Sequence, residues 1–199
     1  MRTESLNLAK SVYRLEAECL LKALDYFDDA AFEKAVEALK NAPRIATTGC
    51  GHSGIICRHF AHLLCCIERP ARFLSPAEAV HGGTGYLQKG DVMVLASRGG
   101  KTDELIPILE ICKKKGVICI AVTENLQSPL ATGSDIVLKQ FVTREADPEN
   151  TQGTVSSVAL CAVFHSLQTA LLMETDFKSE QFALIHPGGA VGARLNENK

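Results

Sequence analysis

The sequence predicts a three-layer αβα fold around a five-stranded, parallel, doubly wound sheet of order 2-1-3-4-5. Three observations predict it. Short apolar runs alternate with amphipathic stretches from residue 44 onward. The strongest run, Asp91–Ser97 (DVMVLAS), has an unbroken apolar centre, the mark of a strand covered on both faces. Glycine-bearing turns, Gly49-Cys50-Gly51 and Gly99-Gly100, each lead from such a run into a helical pattern. Right-handed crossovers leave few other topologies.

Each element has its own signal. Leu8, Val12, Leu15, Cys19, Leu20, Leu24 and Phe27 mark one face of an amphipathic helix within the first 27 residues. Asp28-Asp29 can cap a second helix, whose apolar face includes Phe32, Val36 and Leu39. These two helices, within residues 1–43, are expected to pack on a core formed by 44–199, one structural domain in all. Strands are predicted at Arg44–Thr48, Arg72–Leu74, Asp91–Ser97, Val117–Thr123 and Asp135–Lys139. Helices are predicted at Ser53–Ile67, Thr102–Lys115 and Thr154–Glu174. Ser156, Ser157, His165, Ser166 and Gln168 interrupt the last of these, which predicts a core helix and not a membrane span.

Composition narrows the function classes. The 199 residues are 46% hydrophobic and 22% charged, enough to build a real core and too apolar for disorder. A formal net charge of −2 without a polybasic block argues against general nucleic-acid binding, so an anion site must be built locally. Eight cysteines lie at 19, 50, 57, 65, 66, 112, 119 and 161, none paired at CxxC spacing, and nothing before Cys19 resembles a signal peptide. They read as small buried hydrophobes of a cytoplasmic protein.

Gly100-Lys101-Thr102 has the ending of a nucleotide P-loop, which requires another glycine five residues before the second. That position is Leu95, inside the predicted strand, so the nucleotide reading fails. What remains is Ser97-Arg98-Gly99-Gly100-Lys101-Thr102 between a strand end and a helix start, where free N–H groups and the helix dipole attract an anion. Gly49-Cys50-Gly51-His52-Ser53 repeats the arrangement after the first strand. For either loop alone, a turn with a helix cap is the better reading. In order 2-1-3-4-5 the first and third strands are neighbours at the switch point, so both loops open into one crevice.

The residues also resemble a known family. Thr48–Gly54 (TGCGHSG), Ser75–Gly82 (SPAEAVHG) and Ser97–Glu104 (SRGGKTDE) are similar, in order, to segments of the sugar isomerase (SIS) domain, most closely in the arabinose-5-phosphate isomerase family. Arg144–Pro148 (READP), Thr154-Val155-Ser156 and Phe182–Gly192 (FALIHPGGAVG) continue the match, which runs from about residue 44 to 195. Family members often continue into paired CBS domains, which residues up to Lys199 do not include. His52 stands where the family has a lysine, Gly99 where its phosphate loop has a second serine, and Arg98 and Lys101 add charge beside that loop.

The resemblance implies aldose–ketose isomerisation of a sugar phosphate through a cis-enediol, most closely D-arabinose 5-phosphate to D-ribulose 5-phosphate, with no cofactor. Its alternatives are a hexulose 6-phosphate or sedoheptulose 7-phosphate isomerase, and a non-catalytic sugar-phosphate-binding module. A DNA-binding sensor fits poorly, because residues 1–43 offer two helices with few basic side chains. The chemistry needs a base, a ring-opening group and a phosphate anchor. The resemblance places Glu104, Glu145, His186 and His52 on catalytic positions, with either glutamate as the proton-transfer base and His186 for ring opening. It implies substrate or phosphate contacts from Gly51, Ser53, His81, Ser97, Gly99, Lys101, Thr102 and Thr154, with His81 orienting hydroxyls. It implies a homo-oligomer, tetramer or dimer, whose sites are completed across subunits, with His186 acting in trans. No membrane or nucleic-acid partner is expected.

His59 and His62 lie one helical turn apart with Cys57 and Cys65 nearby, the ligand types zinc uses. No metal motif contains them. The expectation is no metal, with these side chains packed in the core or at an oligomer interface.

Overall fold

The computed structural model describes residues 1–196. Its five strands are β1 (Ile45–Gly49), β2 (Ala71–Phe73), β3 (Val92–Ala96), β4 (Ile118–Thr123) and β5 (Ile136–Lys139). All pair in parallel, in the order β2-β1-β3-β4-β5. The predicted sheet is therefore the observed one. β1 and β3 run side by side from Ile45↔Val92 to Gly49↔Ala96, which brings the loops after them together at the carboxyl edge.

Alternation along the strands separates two cores. Val92, Val94 and Ala96 join Ile120, Val122 and Leu138 under α2 (Asp29–Asn41), α3 (Gly51–Cys65) and α7 (Val155–Glu174). Met93 and Leu95 join Cys119 and Ala121 under α5 (Ile106–Lys115). Both faces are covered, which is why these strands are apolar at consecutive positions. α7 is long and apolar enough to cross a membrane. Here its Leu160, Phe164, Leu167 and Leu171 are buried in the core, while His165, Thr169 and Met173 face outward.

α1 (Thr3–Ala23) rests on α7 and the segment after β5, burying Cys19 against Val142, Ala146, Val155 and Ala159. Most of its length is exposed, Tyr13 and Leu21 included. Asp28 caps α2 as expected, its Oδ1 accepting from Ala31 N at 3.0 Å. Short helices α4 (Pro76–Val80), α6 (Pro129–Gly133), α8 (Ser179–Ile185) and α9 (Gly189–Asn196) complete the chain.

One boundary differs in a way that matters. The helix expected from Thr102 begins at Ile106. Residues 103–105 form a turn, closed by Leu105 N donating to Thr102 O at 3.0 Å. Pro107 favours the later start, since in a first turn its missing N–H leaves no helical bond unmade. The phosphate-type loop is therefore longer than the sequence suggested, and Glu104 lies in a turn before the helix.

Candidate active site

The crevice at the carboxyl edge is built from backbone close approach. Gly54 lets α3 lie against β1, because a Cβ there would sit 2.5 Å from Gly49 O. The N-terminus of α3 thus lies directly over the end of β1, with Cys50 at its N-cap and no side-chain capping bond. Gly51, His52 and Ser53 form that exposed first turn, whose N–H groups and dipole favour an anion.

The second loop is tied down more firmly. Ser97 and Thr102 hydroxyls bond to each other at 2.8 Å, and Gly100 N donates to Ser97 Oγ at 3.1 Å. Gly100 has φ +65°, and a Cβ there would stand 2.0 Å from Ser128 Oγ. Gly99 is exposed with open space around its Cα, and Lys101 is exposed with no ion pair among the described residues. The free elements of this loop are therefore Gly99 and Lys101, while Ser97 and Thr102 hold its shape.

Arg98 does not present free charge to a ligand, contrary to what its position in the loop suggested. Its Nε donates to Glu124 Oε2 at 2.8 Å and its Nη1 to Glu145 Oε1 at 2.6 Å. Glu145 is 3% exposed. Its other oxygen, Oε2, accepts from Thr154 N at 2.9 Å, Ser156 N at 3.1 Å and Thr154 Oγ1 at 3.3 Å, so it caps α7 from outside the helix. Burial pushes this carboxyl up, but the bonds from Ser156 and Thr154 and the Arg98 charge outweigh that and hold it below the ordinary carboxylate value. Thr154, expected at the substrate, spends its hydroxyl on Glu145.

Glu104 is placed differently. It is exposed and lines a cleft of about 420 Å³ with Gly49, Cys50, Gly51, Arg58 and Ser75 among others. Burial and the nearby Glu104 charge both push the Cys50 thiol up, which keeps it a poor nucleophile. His52 and Ser53 border a separate gap of about 20 Å³ against Arg98, Gln140, Ser156 and Ser157, where the N-termini of α3 and α7 meet. His81 is exposed at the C-cap of α4. A larger depression of about 870 Å³ lies near Gly90, Ile118 and Ile136, at the amino edge of the sheet. It holds neither glycine loop, so the chemistry points to the smaller cleft.

His186 is not brought to this crevice. It ends α8, its ring 4.8 Å from that of Phe182. Phe182 packs in a groove with Cys66, Ile67, Gln168 and Leu172, at the C-terminal ends of α3 and α7. The crevice is at the other ends, about 20 Å away along α3 by helical rise. His186 Nδ1 is buried without a hydrogen-bond partner among the described residues.

Three polar residues of the site are not marked by the sequence: Glu124, which holds Arg98, Gln140 and Asn150. Gln140, 2% exposed after β5, donates from Nε2 to Ser156 O at 2.6 Å and steadies the start of α7. Asn150 Oδ1 accepts from Glu145 N at 2.6 Å. None lies in a motif; the one available signal was a polar residue at a strand's carboxyl end. The cysteines expected near His59 and His62 turn away, Cys57 Sγ to Thr48 O at 3.2 Å and Cys65 Sγ to Ala71 O at 3.2 Å.

The SIS domain model matches residues 38–170, a span that includes both glycine loops, Glu104, Glu145 and the start of α7. The chain belongs to the SIS domain family. Arabinose 5-phosphate isomerase KdsD of Francisella tularensis is 36% identical over 197 residues, 97% of this chain and 60% of that protein. KdsD of Pseudomonas aeruginosa is 38% identical over 165 residues, 82% of this chain and 51% of that protein. This SIS chain therefore spans only about half to three-fifths of those relatives. Among solved structures, a Listeria monocytogenes protein is 37% identical with a TM-score of 0.91, covering 94% of this chain and 100% of its own. The E. coli CFT073 protein c3406, in complex with arabinose 5-phosphate, is 29% identical with a TM-score of 0.87, covering 94% of this chain and 100% of its own.

Proposed function

We propose that this SIS protein is an aldose–ketose isomerase of a phosphorylated pentose, interconverting D-arabinose 5-phosphate and D-ribulose 5-phosphate. The observation that carries the reading is an exposed carboxylate, Glu104, in a cleft bordered by the uncapped α3 N-terminus and lying just past the Gly99–Lys101 loop. The arabinose 5-phosphate complex of c3406 and the activity given for the KdsD relatives support the choice of substrate.

In this reading the phosphate rests on the backbone of Gly51–Ser53 and Gly99, with the exposed Lys101 as its counter-charge. Binding energy there holds the sugar carbons in register with the base. A carboxylate removes the C2 proton of the open-chain aldose while the carbonyl oxygen O1 is protonated, giving the cis-enediol. The proton then returns to C1 as O2 loses its own, leaving the ketose. Glu104 suits the base, since it is exposed and faces the cleft. Glu145 suits a fixed negative anchor, since all its hydrogen bonds favour the ionised form. His52 and His81 remain candidates to contact the sugar hydroxyls.

His186 opens the ring in the site of a second copy, which makes the active form an oligomer. Exposed Leu184, Ile185 and Val191 beside it supply apolar surface for that contact. We place the tetramer, or its constituent dimer, in the cytoplasm; eight unpaired cysteines support a reducing compartment. Residues 1–43 then pack on the SIS core as part of one structural domain, with Val36 and Leu39 of α2 buried in it.

The test is an isomerase assay across aldose and ketose phosphates of five to seven carbons. Highest turnover on arabinose 5-phosphate is expected. Turnover on a hexulose 6-phosphate or sedoheptulose 7-phosphate alone would reassign the substrate, and binding without turnover on any would reassign the protein as a sugar-phosphate-binding module.

A further inference from the structure

Away from the crevice, α3 and α7 cross at one tightly specified point. Phe60 and Phe164, both 0% exposed, stack at 4.2 Å between ring centroids and 5° between planes. Gln168 Nε2 donates to Leu63 O at 3.1 Å and ties the same seam one turn further on. The residues beside that stack, His59 and His165, are exposed and point their rings at one another. Their Nε2 atoms are 3.5 Å apart and the rings meet edge to face at 84°.

We infer that His59 and His165 form a two-imidazole site for a divalent late transition ion of the zinc class. Two Zn–N bonds of about 2.0–2.1 Å meeting near a tetrahedral angle place their nitrogens about 3.3–3.4 Å apart. The observed 3.5 Å needs almost no rearrangement to accept the ion. The phenylalanine stack beneath fixes the register of the two helices, so little conformational freedom is lost on chelation. Exposure of both rings gives the ion a path in. No group of three or more His, Cys, Asp or Glu side chains converges on such a point among the described residues, so water fills the remaining positions. Imidazole nitrogen selects zinc, copper, nickel or cobalt over magnesium or calcium.

The ion would bridge two separate helices whose first turns carry His52, Ser53 and the Glu145-capped Thr154. It lies about 12 Å along α3 from Gly51, by helical rise, and takes no part in the isomerisation. Its effect is a cross-link made only in the native state, which stabilises the fold by mass action. Sequence spacing does not pair these residues, because the partners are not His59 with His62 or a nearby cysteine. They are side chains more than 100 residues apart.

Chelator-treated protein titrated with Co²⁺, followed by its visible d–d absorption and by displacement with Zn²⁺, tests the site. One ion per chain is expected, with Tm rising by several degrees when free Zn²⁺ is far above Kd. His59→Ala and His165→Ala should each weaken binding at least tenfold, while His62→Ala should leave it intact. His59→Gln provides a second, milder variant, and circular dichroism checks that each variant is folded. No binding up to millimolar Zn²⁺ would overturn the site and leave the pair as an N–H···N hydrogen bond. Unchanged affinity in the folded His59 and His165 variants would overturn it as well. Loss of binding in His62→Ala or Cys66→Ser alone would do the same, moving the ion to the His62 Nε2···Cys66 Sγ pair at 3.6 Å.

Discussion

Arg98 Nη1 lies 2.6 Å from Glu145 Oε1, joining the loop after β3 to a residue 47 positions later that caps α7. The pair is unequal: the Glu145 side chain is 4% exposed and that of Arg98 36%. Removing either partner therefore has different consequences. Glu145→Ala leaves Arg98 reaching water but strips the cap from α7, and should cost about 3 kcal/mol. Arg98→Ala should cost about 1–2 kcal/mol, because solvent screens part of the interaction and the hydrogen bonds from Thr154 and Ser156 to Glu145 survive. A double-mutant cycle in urea checks both values and their coupling.

Glu145 also gives the fold an acid limb. Its folded-state pKa is depressed, so its contribution is fully present above the unfolded value of about 4.3 and is lost as pH falls through the lower folded value. Stability should be level in this respect near pH 6 and decline below about pH 4.3. In Glu145→Gln the decline should be shallower. An equal slope in both proteins, measured by urea unfolding against pH, would assign the acid limb elsewhere.

Catalysis should separate the two glutamates. Glu104→Gln is expected to lower kcat by about 10²–10⁴ with Tm unchanged, since the side chain is exposed and in a turn. Glu145→Gln should lower Tm as well as activity. Steady-state kinetics and thermal unfolding on the same preparations distinguish these outcomes. A fully active, stable Glu104→Gln would remove Glu104 from the chemistry.

His186 and Glu104 lie at opposite ends of α3, so variants at the two positions should complement one another. Glu104→Gln and His186→Ala are each expected to be inactive alone. Unfolded together and refolded as random dimers, about half the assemblies are mixed and carry one intact site, restoring about a quarter of wild-type activity. Recovery of no activity, with mixed assemblies verified by mass, would show that His186 does not act across subunits.

Gly100→Ala tests the loop itself. The left-handed φ and the contact with Ser128 Oγ should together cost more than about 1–2 kcal/mol. The loop can escape only by moving off Ser128, so KM for a sugar phosphate should rise more than kcat falls. Gly85→Ala, outside this loop and meeting open space without a left-handed φ, is the control and should change neither strongly.

Sheet order, the two-sided burial of the strands and the meeting of two glycine loops were all legible in the linear sequence. These depend on local periodicity and on the short reach of βα connections, both of which a linear reading captures. SRGGKTDE could not be a nucleotide loop, and Leu95 alone was enough to exclude it. Which side chains in that stretch are free became visible only in three dimensions. Sequence offers Ser97 and Thr102 as ligand contacts and Arg98 as charge beside them; in the fold the two hydroxyls bond to each other, and the carboxylates of Glu124 and Glu145 hold Arg98. Glu104 and Glu145 were indistinguishable as residue types; burial at the end of α7 sets one apart and an exposed turn the other. The separation of His186 from the crevice and the facing of His59 on His165 were likewise set by packing. Hydrogen-bond partners and desolvation are properties of neighbours in space, and these neighbours lie from five to more than a hundred residues away along the chain.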